Sequence, residues 1–247
     1  MILLVDAGNT RIKWALCRNH ELSGHGAALH AAKPFNDVLT HAWAALPQPD
    51  RIIVANVAGK PMAENISIYT REHFKLTPEF VIPAAQAGGV TNGYHNPAQL
   101  GADRWAAMLA AHRRRRGPVC VIGCGTAITV DTLTRDGRHL GGLIAPGIGI
   151  MHRALADAAP AIAFEPGAEI KLYANDTRSA VTAGVVYAAA GFIERAAAQT
   201  LAQQGADTEF LLTGGDAEGL QPQLQGRFTL VPHLVLEGLA VLAERQA

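Results

Sequence analysis

One pattern occurs twice in this chain: a short apolar strand runs into a glycine turn and leaves it along a second strand. The first copy is Ile2-Leu3-Leu4-Val5, a turn from Asp6 to Thr10, and a run in which Ile12, Trp14 and Leu16 alternate with Arg11, Lys13 and Ala15. Apolar residues at every second position predict a strand with a covered face, so the segment reads as a hairpin with a polar turn. The second copy is Val119-Cys120-Val121-Ile122, then Gly123-Cys124-Gly125-Thr126, then Ala127-Ile128-Thr129-Val130-Asp131. Gly8 and Gly125 stand 117 positions apart, close to half of 247 residues, and that spacing predicts a duplicated domain. Gly117-Pro118, which ends a predicted helix, sets the expected boundary between residues 1–117 and 118–247.

The remaining chain alternates strands and helices, as an α/β protein does. Strand-like Arg51 to Ala55 precedes a helix from about Asp103 to His112, in which Trp105, Met108, Leu109 and His112 share one face. The second half continues with strand-like Leu140 to Ala145 and a helix around Ala180 to Ala198. Strand-like Glu209 to Leu212 then runs into Thr213-Gly214-Gly215-Asp216, and a terminal helix spans Leu234 to Leu242. Pro34, Pro47 and Pro49 interrupt the first half without forming a linker.

Composition narrows the partners. Lys plus Arg number 21 and Asp plus Glu number 21, so no global field draws the chain to nucleic acid or to an acidic membrane face. Arg113 to Arg116 form a basic run, but they close a predicted helix, where cations offset the dipole. The longest apolar stretches are strand-length, and Met1 leads straight into the first strand. No membrane span or signal peptide is expected, and the protein is placed in the cytoplasm. Three cysteines, Cys17, Cys120 and Cys124, read as reduced, buried thiols. The ten histidines show no metal-binding spacing, and no metal ligand is assigned.

The glycine turns carry the chemistry. A triphosphate needs clustered backbone N–H donors, hydroxyls and a cation, and glycine lets backbone approach closely enough to supply the donors. In the first turn Gly8 permits that approach, Asn9 and Thr10 offer donors, Lys13 offsets charge, and Asp6 would hold Mg²⁺ directly or through its waters. The plain alternative is a hairpin in which Asp and Asn only stabilise the turn. Recurrence of Gly-Thr at Gly125-Thr126 favours two turns facing across a cleft. Thr213 to Asp216 can lie flat against an adenine ring or serve as a strand-to-helix corner. Neither a P-loop nor a complete dinucleotide fingerprint is present.

Together, Asp6-x-Gly8-Asn9-Thr10 with Lys13, Gly125-Thr126-Ala127-x-Thr129-x-Asp131 and Thr213-Gly214-Gly215-Asp216 resemble the nucleotide motifs of the actin, sugar kinase and heat-shock ATPase superfamily. Tyr94-x-x-Pro97-x-x-Leu100-Gly101-Ala102-Asp103-Arg104-Trp105 resembles the signature of one branch, type III pantothenate kinase. Gly141-Gly142-x-Ile144-x-Pro146-Gly147 and Asn175-Asp176-Thr177 fit the same branch. The resemblance implies two duplicated ribonuclease H-like domains with a nucleotide cleft between them, a homodimer, and phosphorylation of pantothenate by ATP on the way to coenzyme A. It implies ATP contacts from Asp6, Ala7, Gly8, Asn9, Thr10, Arg11, Ile12, Lys13 and Thr126, and Asp103 as the base. Tyr94, Gly101, Ala102, Asp103 and Arg104 would line the substrate site, and Thr177 would reach it from the partner subunit. The family also requires a monovalent cation, potassium or ammonium. Many members carry an acid two positions before the second Gly-Thr, where this chain has Gly123, so the cation sits elsewhere or its requirement is weakened.

These roles make chemical sense. In a loose phosphoryl-transfer transition state the protein mainly orients the attacking alcohol and takes its proton late, which a carboxylate can do. Asp103 at a helix start is kept ionised by the dipole, although it could equally be a first-turn acid. Arg104 can grip a carboxylate or phosphate in two-pronged fashion, or be solvated. Tyr94 offers a ring and a hydroxyl, or is simply packed. A kinase of another small hydroxyl substrate would keep the turns but lack the 94–105 constellation. A non-catalytic transcription-accessory protein would be expected to lose Asp103 or Lys13, and both are present.

Overall fold

A computed structural model describes residues 1–30, 35–114, 117–159 and 170–244. Pro34 and two members of the basic run, Arg115 and Arg116, lie outside the described residues. In chain order the elements are β1 (Ile2–Ala7), β2 (Arg11–Arg18), β3 (Glu21–Leu29), α1 (Phe35–Trp43), β4 (Arg51–Asn56), α2 (Lys60–Phe74), β5 (Glu79–Phe80), β6 (Gln86–Ala87), β7 (Val90–Thr91) and α3 (Ala102–Arg114). They continue with β8 (Val119–Cys124), β9 (Ala127–Leu133), β10 (His139–Pro146), α4 (Ile148–Ala158), α5 (Thr177–Gln204), β11 (Glu209–Thr213), α6 (Ala217–Leu220), β12 (Phe228–Leu230) and α7 (Leu234–Ala243).

The expected repeat is present in the sheets. The first is ordered β3-β2-β1-β4-β5 and the second β10-β9-β8-β11-β12, the same topology with each strand replaced by its counterpart. In both, the first three strands pair antiparallel as a meander, and the other two join in parallel through helical crossovers.

The chain divides into two compact units, Met1–Arg114 with His233–Ala247, and Arg115–Pro232. The expected domain limits of 1–117 and 118–247 are therefore corrected at the C-terminal end: α7 belongs with the first unit. The physical reason is the two-sided sheet there. Leu3, Val5 and Ala7 of β1 face a core shared with Leu39 and Trp43 of α1 and Met62 and Ile66 of α2. The alternate residue Leu4 faces the opposite way, with Ile53 of β4, onto Ala102 and Ala106 of α3 and Leu236 and Leu239 of α7. A strand buried on both faces needs a second helical layer, and the last helix completes it.

In that layer α3 and α7 approach so closely that a Cβ on Gly238 would stand 1.7 Å from the Ala106 carbonyl oxygen. At the C-terminal end of α3, Arg114 grips Glu237 through Nε and Nη2 at 2.6 and 2.7 Å, and Arg113 pairs with Glu244. The two described arginines of the basic run thus meet acids of the first unit.

In the second unit Cys120, Ile122 and Cys124 of β8 and Ile128 and Val130 of β9 pack on Val186, Ala189 and Ile193 of α5. Among the described residues α5 alone is long and apolar enough to cross a bilayer, which corrects the expectation that apolar runs stop at strand length. Its apolar content serves this core. All three cysteines are free and buried, and burial pushes Cys120 and Cys124 up to about 12, so neither thiol ionises near neutrality.

Replacing Gly238 by alanine must push α7 off the backbone of α3, which is overpacking against an atom that cannot rotate away. The variant should lose about 3 kcal/mol of stability in denaturant titration. Wild-type stability would show that the helices separate freely.

Candidate active site

The first turn sits between β1 and β2, and strand register fixes what surrounds it. Asp6 and Lys13 are directly paired across the two strands, so their side chains leave the sheet on the same face. That face is Leu4's, covered by α3 and α7. Asp6 is consequently only 8% exposed, and burial raises its carboxyl from 3.8 to about 7, with Lys13 lowering it and Asp103 raising it. Two further predicted site residues of the same unit, Lys13 and Asp103, are therefore close enough to Asp6 for it to feel their charge.

Asp103 occupies the first turn of α3, whose initial bond runs from the Trp105 N–H to the Gly101 carbonyl at 2.9 Å. Its Oδ1 accepts the Arg104 N–H at 2.8 Å, which folds the carboxylate back over the start of the helix. A Cβ at Gly101 would stand 2.6 Å from that oxygen. Glycine there leaves room for the acid to adopt this position.

Arg104 is 8% exposed and donates from Nη1 to the Tyr94 hydroxyl at 3.0 Å, with its guanidinium carbon 5.7 Å from the centre of the Tyr94 ring. Tyr94 is itself positioned by Asn92, whose Oδ1 accepts the Tyr94 N–H at 3.0 Å while Nδ2 reaches the carbonyls of Ala84 and Pro97 at 3.3 and 3.4 Å. The plain reading of Arg104 as solvated does not hold, and Tyr94 is packed against it. Asn92 escaped sequence reasoning, since a lone Asn near Gly and Pro looks like turn material.

Asn9, Thr10 and Arg11 are exposed on the turn, whereas Ala7 and Ile12, paired across the two strands, are wholly buried in the sheet core. The Gly8 N–H closes the turn on the Arg11 carbonyl at 3.1 Å.

The second unit repeats this turn in tighter form, with Gly125 N–H donating to the Ala127 carbonyl at 3.1 Å. Two other sequence motifs meet on it. Gly147 donates its N–H to the Thr126 carbonyl at 3.0 Å, and a Cβ at Gly147 would come within 2.0 Å of the Gly125 oxygen. Gly214, at φ 106°, would with a Cβ come within 2.1 Å of the Cys124 oxygen, which accepts the Asp216 N–H at 3.0 Å. Thr126 is half-buried, and Thr177 is exposed as the first residue of α5. Asp131 is buried against His139, Nε2 to Oδ1 2.9 Å, across the β9–β10 pair.

Repeat symmetry also exposes a turn that sequence reasoning missed. β4 holds in the first sheet the place that β11 holds in the second, and the registers of Asp6 with Ala55 and Gly123 with Thr213 match residues 55–58 to 213–216. Val57 N–H donates to the Ala7 carbonyl at 3.1 Å, and the Asn56 side chain brackets the turn through Ala58 N–H and the Gly59 carbonyl at 3.0 and 2.9 Å. The 117-residue spacing of the glycine turns would not have found it, because β11 begins 158 positions after β4 and only the strand order pairs the two.

Mg²⁺ takes oxygen ligands, keeps waters and shares them with phosphate groups, so a single buried carboxylate such as Asp6 suits it. Among the described residues no cluster of three or more His, Cys, Asp or Glu forms an all-protein cage.

The raised carboxyl of Asp6 makes a prediction of definite sign. Its proton stays on in the folded chain at pH values where the unfolded chain has released it, so folding stability falls as pH rises from 3.8 towards about 7 and stays low above. Asp6→Asn should stabilise the ligand-free protein at pH 8 by up to roughly 4 kcal/mol, with the gain shrinking towards pH 4 in thermal melts. A gain independent of pH would refute the ionisation argument.

The type III pantothenate kinase family matches residues 2–199. A type III pantothenate kinase of Nitrosococcus oceani is 39% identical, covering 99% of this chain and 94% of that protein. One of Aromatoleum aromaticum is 41% identical, covering 100% and 99%. Among solved structures, a Campylobacter jejuni protein described as a Baf family transcriptional activator superposes with TM-score 0.61 at 21% identity, covering 98% of each chain. A glucokinase from an Antarctic psychrotroph superposes with TM-score 0.53 at 14% identity, covering 99% of each. These two likenesses concern the fold, an α/β architecture shared with sugar kinases, while the family match and the full-length relatives settle kinship: the chain belongs to the type III pantothenate kinase family.

Proposed function

We propose that this chain transfers the γ-phosphate of ATP to the terminal hydroxyl of pantothenate, giving 4'-phosphopantothenate on the route to coenzyme A. The observation that carries the reading is the convergence of Asp6, Lys13 and Asp103 on one face of the first sheet, with Arg104 and Tyr94 beside them. Asp103 accepts the proton of the attacking hydroxyl as the bond to phosphorus forms. Its place in the first helical turn favours the ionised form this requires. Arg104, fixed by Tyr94, holds the substrate's carboxylate, and Gly101 and Ala102 keep the approach to the base narrow. Asn9, Thr10 and Arg11 receive phosphate oxygens on the first unit's turn, which Ala7, Gly8 and Ile12 hold in shape, and Thr126 offers the same chemistry on the second unit's own turn. Mg²⁺ bound at Asp6 and the phosphates would neutralise charge on the transferred group.

The working protein in this reading is a cytoplasmic homodimer in which Thr177 meets the substrate bound by the other copy. Exposed Leu143 and Ile144 on edge strand β10, Leu155 on α4 and Tyr187 on α5 support such an assembly, since a bare apolar edge invites a partner. The monovalent cation, potassium or ammonium, is less strictly required here. A Cβ at Gly123 would stand 2.6 Å from the Thr129 hydroxyl, which fills the space where an acid at 123 would project.

Purified protein given Mg-ATP and pantothenate should form phosphopantothenate, and Asp103→Asn should lower kcat at least about a hundredfold while melting like wild type. No product in any salt, or full turnover by the variant, overturns the assignment. With sodium in place of potassium, turnover should persist; its complete loss would show that the cation site has moved rather than weakened.

A further inference from the structure

The two glycine turns are held by the same backbone bond and differ in what stands next to it. In each sheet the residue immediately after the third strand donates its N–H to the threonine carbonyl of the turn. Gly147, after β10, bonds to Thr126 at 3.0 Å, and His30, after β3, bonds to Thr10 at 3.3 Å. In the second unit the position is bare, and a side chain there would collide with the Gly125 carbonyl. In the first unit the side chain is present and used: His30 Nε2 lies 2.8 Å from the carbonyl of Gly8, the counterpart of Gly125.

A carbonyl can only accept, so the imidazole must present an Nε2–H to Gly8. The peptide that follows is planar, and no cis bond occurs among the described residues. The amide of Asn9 therefore points opposite to the carbonyl that His30 holds, and by the same rule the amide of Arg11 points opposite to the carbonyl of Thr10. One residue thus fixes two alternate peptide planes of an exposed turn. The ring is steadied by Phe35, edge-on at 5.7 Å between centroids and 86° between planes.

We infer that His30 is a positioning residue for the nucleotide, turning the Asn9 amide away from the carbonyl it holds and so presenting it to a phosphate oxygen. It does not touch the reacting atoms and takes no part in proton transfer. The inference rests on the phosphotransfer reading of the site, and concerns a residue outside every motif that supports that reading. It also ascribes to the first turn an organisation that the second lacks, because Gly147 cannot carry an equivalent donor.

The test compares wild type, His30→Ala and His30→Gln, the last keeping an amide donor of similar reach. His30→Ala should bind Mg-ATP by calorimetry, and show a KM for ATP, about tenfold weaker than wild type, the size expected for one lost hydrogen bond. Its KM for pantothenate should be unchanged, and His30→Gln should recover most of the ATP affinity. Unchanged ATP affinity in a folded His30→Ala overturns the inference. So does an equal rise in both KM values, or a folded His30→Gln no better than alanine, because a merely structural role would give those results. If wild type itself binds no Mg-ATP, the phosphotransfer reading fails first and this inference with it.

Discussion

The close passage of α7 over α3 governs what the first unit can do. Asp103 and Arg104 stand on the first turn of α3, and their position relative to Asp6 depends on how that helix lies on the sheet. Gly238 lets α7 press directly on the backbone at Ala106, one turn from those residues. Ala102, Ala106 and Ala240 keep the layer thin, so β1, the two helices and the charged groups at the strand end share one tightly packed face. The site's electrostatics follow from that packing. Asp6 is hard to ionise because the layer removes water from it, and Asp103 adds a like charge.

Duplication supplied two similar turns that have been specialised in different ways. The second is compressed between Gly147 and Gly214, where glycine is needed because carbonyl oxygens occupy the space a side chain would take. The first is a residue longer, exposes Asn9, Thr10 and Arg11, and is held by a side chain instead. One architecture thus yields a rigid backbone clamp in one half and a more open, charged turn in the other.

Much of this was legible in the sequence, for identifiable reasons. Alternation in β2 and β9 and the apolar run of β1 revealed the paired turns, and the spacing of Gly8 and Gly125 revealed the repeat. The grouping of Tyr94 with Arg104 was legible only as a motif, because the Asn92 contacts that hold it depend on the course of the loop. The destination of α7 was not legible. A helix apolar on most sides announces burial without naming what buries it, and only the glycine in its middle hints at a close neighbour. His30 was equally silent, since its partner lies 22 residues away and an isolated histidine after a strand carries no pattern.

The first unit is built from residues at both ends of the sequence, while the second is continuous. During synthesis on the ribosome, β1, β4 and α3 emerge long before the helix that covers them, and Leu4, Ile53 and Ala106 must wait with one side uncovered. The second unit has every strand of its sheet available before α7 is made. The order of assembly therefore runs against the order of translation: the half encoded later can close first, and the half that carries Asp6 and Asp103 is sealed only when the final helix arrives.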